Sequence, residues 1–291
     1  MSFEIRPLSD VMGAEVVGVD LSRPLDDADF ARIHRAWLDH LLLVFRDQHM
    51  TPAQHIAFSQ RLGPLEIHFA KHFLLDGHPQ IYVLSNVIEA GKPAGKAPTP
   101  YWHSDLSYMA VPAKASMLYG REVPEIGGDT LYSNMYLAYE RLPEDVRRRI
   151  EGLSAVHNIS DFALRYARMS GDSPASLSKA SLELAAHLPD VTHPLVIRHA
   201  ETGRPALFVN EGFTVGVVGL PQAESDELLA YLNEHARRPE FVYRHTWRPF
   251  DANLWDNRCV NHSATGGFKA PMRRLMHRTT IGGTAPQGLS A

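Results

Sequence analysis

The chain has 291 residues, of which 44% are hydrophobic, and its net charge is −4 with a pI near 6.5. This composition excludes a disordered protein, and the weakly acidic charge gives no reason to expect nucleic acid or an anionic membrane surface as a partner. Cys259 is the only cysteine, which excludes an internal disulfide and a cysteine-rich metal cluster.

The N-terminal part of the sequence has neither a signal peptide nor an apolar run long enough to span a bilayer, so we expect a cytoplasmic protein. Short apolar runs predict strands over residues 14–20 and 41–46. Between them, apolar residues at helical spacing follow an acidic start at Asp26. Thr51 offers the cap of a second helix, with a proline and then a capping-box glutamine behind it, and Gly63 ends that helix.

The rest of the sequence is dominated by short β-patterned runs separated by Gly, Pro, Asn and Asp. These runs cover residues 81–85, 102–108, 116–120, 130–132, 194–199, 206–210, 241–247, 253–256 and 274–281. Helices are predicted over residues 138–153 and 222–236, and the small-residue stretch 170–182 predicts a loop or lid. Since no repeat or linker is present, the pattern predicts a single domain over residues 1–291, mainly β with helical insertions, in which two sheets form a sandwich or barrel.

His103 and Asp105 form the most informative pair in the sequence. If residues 102–108 are a strand, both side chains project from one face and can reach the same ion. A neutral imidazole and a carboxylate suit Fe(II), and a second imidazole would complete a facial triad with positions left open for a bidentate co-substrate and O₂. The alternative is a structural histidine that is hydrogen-bonded to the aspartate of the same strand.

A second signal lies near the C-terminus, where residues 274–281 follow a motif that ends at His262. In a strand, Arg274 and Arg278 share a face with Met276. Buried arginines are costly unless each meets an anion, and the planar guanidinium binds a carboxylate with two hydrogen bonds. The two arginines would lie about 13 Å apart, far enough to hold two different anions. The alternative is a strand whose arginines face solvent.

Several segments in the same order carry a resemblance to one known family over nearly the whole chain. They are WHSD at 102–105, GGDT at 127–130, FVNEGF at 208–213 and WDNR at 255–258, together with residues 13–15, 18–21, 44–48, 61–65 and 273–278. On these residues the sequence resembles the TauD/TfdA family, the Fe(II)- and 2-oxoglutarate-dependent dioxygenases related to taurine dioxygenase and chlorophenoxyacetate dioxygenase. The resemblance implies the family fold, a double-stranded β-helix or jelly roll, as the form of the predicted sandwich.

The resemblance also implies a role for the matching polar residues. His103, Asp105 and His262 would ligate Fe(II). Thr130 and Arg274 would bind the distal carboxylate of 2-oxoglutarate, the co-substrate. The implied reaction is oxidative decarboxylation of 2-oxoglutarate to succinate and CO₂, with hydroxylation of a second substrate by O₂. Family members are often dimers or tetramers, so a homodimer or homotetramer is expected by analogy.

The second substrate is expected to be a small anionic molecule, with its acidic group held by Arg278. His68 matches a histidine that taurine dioxygenase places near its sulfonate, but Lys71 stands where that enzyme has a tyrosine. Lys71 is instead similar to the herbicide-degrading branch of the family, and Phe213 would line the substrate pocket. We therefore expect a carboxylate of aryloxyalkanoate or aromatic-acid type, with an alkyl sulfonate or sulfate ester as the alternative.

Two other classes of protein could contain the same metal ligands. A zinc hydrolase would use them to hold a metal-bound hydroxide, but it gives no role to Thr130 or to the two arginines. A non-catalytic sensor would bind iron and 2-oxoglutarate without turnover. Oxygen uptake with Fe(II) and 2-oxoglutarate, with and without candidate substrates, distinguishes the three.

Overall fold

The computed structural model describes residues 3–87, 100–159 and 188–289 of the chain. The helices of these ranges are α1 (Asp27–His40), α2 (Pro52–Gln60), α3 (Met135–Glu140), α4 (Glu144–Ile150) and α5 (Gln222–Ala236), with short 3₁₀ helices at Lys71–Phe73 and Pro239–Phe241. The strands are β1 (Glu4–Pro7), β2 (Ala14–Val17), β3 (Leu42–Phe45), β4 (Leu65–Glu66), β5 (Leu74–Leu75), β6 (His78–Ser85), β7 (Ala113–Glu122), β8 (Thr130–Asn134), β9 (Ser154–His157), β10 (Val191–Pro194), β11 (Val196–Arg198), β12 (Pro205–Leu207), β13 (Thr214–Val217), β14 (Val242–His245), β15 (Ala252–Asp256), β16 (Val260–Ala264), β17 (Leu275–Gly282) and β18 (Gln287–Gly288). The predicted lid at 170–182 lies outside the described residues. None of the described helices is long and apolar enough to cross a membrane.

Two of the sheets face each other across the main core. The larger has nine strands in the order β1-β2-β3-β15-β7-β17-β6-β5, with β4 paired to β17, and the smaller has the order β14-β8-β16. Trp255 of β15 and Met276 of β17 share one buried cluster with Tyr132 of β8 and Val260 of β16. Two further three-stranded sheets have the orders β10-β9-β13 and β12-β11-β18. The chain is mainly β with helical insertions, and its fold is the predicted double-stranded β-helix, or jelly roll.

The outer face of the larger sheet is covered by α1 and α2. Trp37 of α1 and Phe58 of α2 pack in a second buried cluster with Leu43 of β3 and Ile281 of β17. Both helix starts confirm the prediction, because Asp26 caps α1 and the capping box is present at the start of α2. With the helices on the outside, the inner face of the sheet is left for the site.

Strand β17 confirms the predicted alternation of faces. Met276 belongs to the core between the two sheets, whereas Thr279 on the opposite face bonds Ser59 of α2 at 2.7 Å. Arg278 lies within the strand and Arg274 immediately precedes it, and both line one pocket between the sheets. Both arginines are buried, so the solvent-facing alternative is wrong.

The predicted strand over residues 102–108 is wrong. His103 makes a single antiparallel bridge to His262, and the chain then runs through a series of turns. In these turns the N–H of Asp105 bonds a side-chain oxygen of Asn257 instead of a neighbouring strand. Because this side-chain acceptor takes the place of a strand partner, the backbone can leave the extended conformation without burying an unpaired N–H.

The predicted helix over residues 138–153 is also wrong in its extent. Two short helices occupy the region, and Pro143 stands between them as the N-cap residue of α4. Proline has no N–H to continue the first helix, but it is tolerated at the start of the second. The sequence pattern also gives no prediction of strand β16, which carries His262.

Candidate active site

His103, Asp105 and His262 converge between the two sheets. One ligand atom from each lies within 4.8 Å of the others, and all three residues are buried. Nε2 of each histidine is 3.8 Å from a different carboxylate oxygen of Asp105. The backbones of the two histidines also exchange hydrogen bonds of 3.0 and 2.8 Å. The cluster is therefore assembled by this bridge and the following turn, rather than by strand alternation.

The two imidazoles are suited to bind a cation as neutral ligands. Nδ1 of His103 lies 3.0 Å from the carbonyl oxygen of Tyr101, which can only accept, so Nδ1 carries the proton and the lone pair is on Nε2. Burial and the nearby His103 hold the pKa of His262 well below its ordinary value, so this ring is also neutral near pH 7. Two neutral imidazoles and a carboxylate are the donor set of a facial Fe(II) triad, so the residues present fit an iron ion.

The carboxylate of Asp105 is held at both oxygens. Ser116 of β7 bonds Oδ2 at 2.6 Å, and Arg278 donates to Oδ1 at 2.6 Å. Burial alone would raise the pKa of Asp105, but the Arg278 guanidinium, the two imidazoles and the serine hydroxyl outweigh it and keep this pKa below its usual range. Asp105 is thus an anion, which is the form that a metal binds.

Arg274 is a buried cation that lacks a counter-charge within the described chain. It is 4% exposed, and burial lowers its pKa from 12.5 to about 10. Thr130 of β8 lines the same pocket, and its Oγ1 accepts the indole N–H of Trp247 at 2.9 Å. Because Oγ1 is the acceptor in that bond, the hydroxyl hydrogen is directed to other acceptors, of which the Tyr132 hydroxyl is one. A guanidinium and a hydroxyl donor in one pocket form a suitable site for a carboxylate.

The glycines of the GGDT segment allow the chain to pass close to Arg274. A Cβ atom on Gly128 would lie 3.4 Å from the Arg274 side chain, and one on Gly127 would lie 2.7 Å from the backbone of Gly267. Both glycines also have positive φ, at 76° and 73°. Side chains are therefore excluded on steric and conformational grounds at these two positions, where the segment passes beside Arg274.

The guanidinium of Arg278 lies between the carboxylate of Asp105 and the ring of Tyr82. Its guanidinium carbon is 5.3 Å from the ring centre of Tyr82, and its Nε is buried without a hydrogen-bond partner among the described residues. Arg278 therefore bonds Asp105 and still has a donor with which to bind a second anion.

The other predicted substrate residues differ in how near they come to this point. Phe213 is buried and packs edge-on against His103, with 6.0 Å between ring centres. His68 packs on Tyr82 with 4.4 Å between ring centres, and Tyr82 in turn faces the Arg278 guanidinium. Lys71 is exposed on its 3₁₀ helix, and it is not among the described residues that line the pocket.

Comparison with known proteins agrees with this geometry. The family model described as "Taurine catabolism dioxygenase TauD, TfdA family" matches residues 4–280. This chain belongs to the TauD/TfdA family. As a member it is a 2-oxoglutarate-dependent dioxygenase, an oxidoreductase, and the zinc-hydrolase alternative is set aside.

Relatives within the TauD/TfdA family cover nearly the whole chain. An (S)-phenoxypropionate/alpha-ketoglutarate-dioxygenase of Sphingobium herbicidovorans is 36% identical over 97% of this chain and 96% of its own. An alpha-ketoglutarate-dependent 2,4-dichlorophenoxyacetate dioxygenase of Cupriavidus pinatubonensis is 37% identical over 97% and 98%. An alkylsulfatase of Acinetobacter baylyi is 32% identical over 98% and 86%. The crystal structure of a taurine dioxygenase from Burkholderia xenovorans, 34% identical, superposes with a TM-score of 0.83 over 100% of this chain and 92% of that one.

The TauD/TfdA motif WDNR has a structural role that the sequence did not reveal. Asn257 bonds the N–H of Asp105, the indole N–H of Trp255 and the hydroxyl of Ser116. Ser104 also donates to the backbone carbonyl of Asn257 at 2.7 Å. The signal was present, because WDNR belongs to the matching segments, but no spacing rule connects it with a turn so far away in the chain.

A second buried cluster, His199, Asp256 and Cys259, has ligand atoms within 4.8 Å of one another but is not suited to a metal. Nδ1 of His199 accepts two backbone N–H groups, so its proton is on Nε2, which donates to Asp256 at 3.0 Å. Arg258 donates to both oxygens of Asp256, and burial raises the pKa of the Cys259 thiol well above its usual value. The hydrogen bonds of this cluster instead stabilise the turn formed by the WDNR segment.

Proposed function

We propose that this enzyme uses Fe(II), 2-oxoglutarate and O₂ to hydroxylate a small organic acid, a carboxylate of the aryloxyalkanoate or aromatic-acid type. The observation that carries the proposal is one pocket in which two buried arginines lie beside the His-Asp-His cluster. Similarity to dioxygenases of phenoxypropionate and 2,4-dichlorophenoxyacetate, which are both carboxylates, supports this class of substrate.

His103, Asp105 and His262 are proposed to hold the iron. Bound there, Fe(II) would supply O₂ activation coupled to decarboxylation of 2-oxoglutarate and oxidation of the substrate. The contribution of the chain is to prepare the donors: the His103–His262 bridge fixes two of them, and the bonds from Ser116 and Arg278 fix the carboxylate.

Arg274 and Thr130 are proposed to bind the distal carboxylate of 2-oxoglutarate. The buried guanidinium of Arg274 has no ion pair or side-chain hydrogen bond to the described residues, so a carboxylate placed against it supplies the missing counter-charge. The indole of Trp247 orients the hydroxyl of Thr130 as a donor. Together the two side chains would hold one end of the co-substrate in the pocket that His103 and His262 also line.

Arg278 is proposed to bind the acidic group of the main substrate, with Phe213 against its apolar part. The contact of Phe213 with His103 supports this role, because an apolar ring then lies directly beside a proposed metal ligand. His68 is proposed to support the substrate pocket by packing on Tyr82, the ring beside Arg278. Lys71 is proposed as a second cation for the acid, acting from the exposed 3₁₀ helix.

An alkyl sulfonate or sulfate ester is the second candidate substrate. The alkylsulfatase relative supports it. A sulfonate or sulfate group also carries a negative charge that a guanidinium can bind through several oxygens. The same pocket therefore suits either acid, and the choice depends on the apolar part.

We further propose that residues 1–291 form one domain, and the match of the family model over residues 4–280 supports this. A homodimer or homotetramer and a cytoplasmic location remain predictions from the family analogy and from the sequence.

The proposal is tested by measuring succinate formation and O₂ uptake with Fe(II), 2-oxoglutarate and a panel of acids. The panel contains phenoxyacetates, aromatic carboxylates, alkyl sulfonates and sulfate esters. We expect the carboxylates to stimulate both signals and to yield a hydroxylated product or its breakdown product. Stimulation by sulfate esters alone would replace the carboxylate proposal with the second candidate. Absence of any succinate would contradict the dioxygenase reaction itself.

A further inference from the structure

A buried chain of polar side chains lies behind Asp105 and extends beyond the Ser116 hydroxyl that bonds its carboxylate. Its members are Asn257, which is 1% exposed, and Ser116, which is 0% exposed. Asn257 Nδ2 is 3.0 Å from Ser116 Oγ, and Ser116 Oγ is 2.6 Å from Asp105 Oδ2. The chain therefore ends on a proposed metal ligand.

The direction of every hydrogen bond in this chain is fixed by two groups that can only donate. Oδ1 of Asn257 faces the backbone N–H of Asp105 at 3.2 Å and the indole N–H of Trp255 at 2.9 Å. The amide must therefore point its oxygen at these two donors and its nitrogen at Ser116. Since that nitrogen can only donate, the oxygen of Ser116 accepts, and its single hydrogen is directed to Asp105.

This arrangement limits the rotation of the Asp105 carboxylate. Ser116 holds Oδ2 and Arg278 holds Oδ1, so turning the group about its bond to Cβ would break both contacts. Without the Ser116 hydroxyl, the Asp105 carboxylate would keep only its hydrogen bond from Arg278 as a fixed side-chain contact among the described residues. The carboxylate could then turn further towards the guanidinium, which competes with a metal for the same negative charge.

We infer that Asn257, acting through Ser116, is a positioning residue that presents the Asp105 carboxylate to the metal, an inference that rests on the proposed metal site. The same amide oxygen also anchors Trp255, whose ring centre is 4.7 Å from that of His262. Asn257 thus connects the turn that bears Asp105 to Trp255 of β15, and the Trp255 ring packs against His262. Partners of this kind typically change metal affinity by 10- to 100-fold when they are removed.

The test compares Mn(II) binding by the full chain and by Ser116→Ala, with free Mn(II) measured by electron paramagnetic resonance. The matched control is Ser133→Ala, because Ser133 is also buried and also donates at 2.6 Å, but to the carbonyl of Ala236. Ser116→Cys is a milder variant, since a thiol is a weak donor of similar volume. Thermal unfolding of each metal-free variant reports stability separately.

We expect Ser116→Ala to bind Mn(II) 10- to 100-fold more weakly, Ser116→Cys to lie between it and the unchanged chain, and Ser133→Ala to keep its affinity. If Asn257 acts through Ser116, the losses of Asn257→Ala and Ser116→Ala should not add in the double variant. Affinity within twofold of the unchanged chain in Ser116→Ala, or an equal loss in Ser133→Ala, overturns the inference. Additive losses overturn the part assigned to Asn257. Failure of the unchanged chain to bind Mn(II) would instead overturn the metal site itself.

Discussion

Replacing Arg274 with methionine should leave the empty protein at least as stable while weakening its binding of 2-oxoglutarate. Burial lowers the pKa of Arg274 from 12.5 to about 10, and a shift of that size corresponds to about 3 kcal/mol of unfavourable free energy for the charged form. Methionine fills a similar space without a charge. We therefore expect the free energy of unfolding of the metal-free and co-substrate-free protein to stay unchanged or to rise by up to about 3 kcal/mol.

Co-substrate binding should change in the opposite sense. A charge-assisted bidentate contact with a carboxylate contributes about 2 to 4 kcal/mol when the loss of its partner leaves the anion unpaired. The dissociation constant of 2-oxoglutarate should therefore rise by roughly 30- to 1,000-fold in Arg274→Met. Stability and co-substrate affinity change in opposite senses because the buried Arg274 charge destabilises the empty protein but binds the carboxylate of 2-oxoglutarate.

Urea unfolding measures the first quantity, and calorimetric titration of the anaerobic Mn(II)-loaded protein with 2-oxoglutarate measures the second. Arg273→Met is the matched control, because Arg273 is exposed and pairs with Glu122 outside the pocket. We expect it to change either quantity by less than about 0.5 kcal/mol, as for other surface substitutions. An Arg274→Met variant that is less stable but binds 2-oxoglutarate normally would refute the reasoning, since Arg274 would then be a structural cation.

Three further outcomes are expected. His262→Ala should abolish turnover and Mn(II) binding, and it should leave circular dichroism and thermal unfolding nearly unchanged; retained stoichiometric metal would remove this residue from the ligand set. Arg278→Ala should raise the requirement for the acid substrate at least tenfold, with 2-oxoglutarate affinity at saturating Mn(II) little altered; loss of 2-oxoglutarate binding would reverse the roles of the two arginines. Burial lowers the pKa of His277 to about 4, below its ordinary 6.5, so the unfolded chain takes up this proton first as the pH falls. The free energy of unfolding should then decrease by about 1.4 kcal/mol per pH unit between about pH 6.5 and about pH 4 on account of His277, and a denaturation series in which His277→Gln keeps the same slope would contradict this.

The sequence predicted the parts of the site that depend on local alternation. Strand alternation predicts that Arg274 and Arg278 share one face, and the cost of burying an arginine without an anion gives that face a functional meaning. The structure confirms that face, and it confirms the helix starts at Asp26 and Thr51, whose caps depend on residues nearby in sequence.

The parts that the sequence did not predict depend on contacts between distant segments. The turn after His103 forms because Asn257, 152 residues from Asp105, supplies the acceptor that a strand would otherwise provide. Ser116 is 141 residues from Asn257, and no periodicity links the two. The break at Pro143 is different in kind, since the effect of proline on a helix is local and could have been read from the sequence.

The bridge between His103 and His262 consists of two backbone hydrogen bonds, and backbone groups are the same whatever side chain they carry. The backbone positions of two of the three proposed ligands are therefore set independently of the ligand side chains themselves. Redesign of this centre can change donor type at either position, for example to a carboxylate or an amide, while the spacing of the two Cα atoms is preserved. The jelly roll thus offers a fixed template on which alternative donor sets, and with them other metals, can be installed and compared.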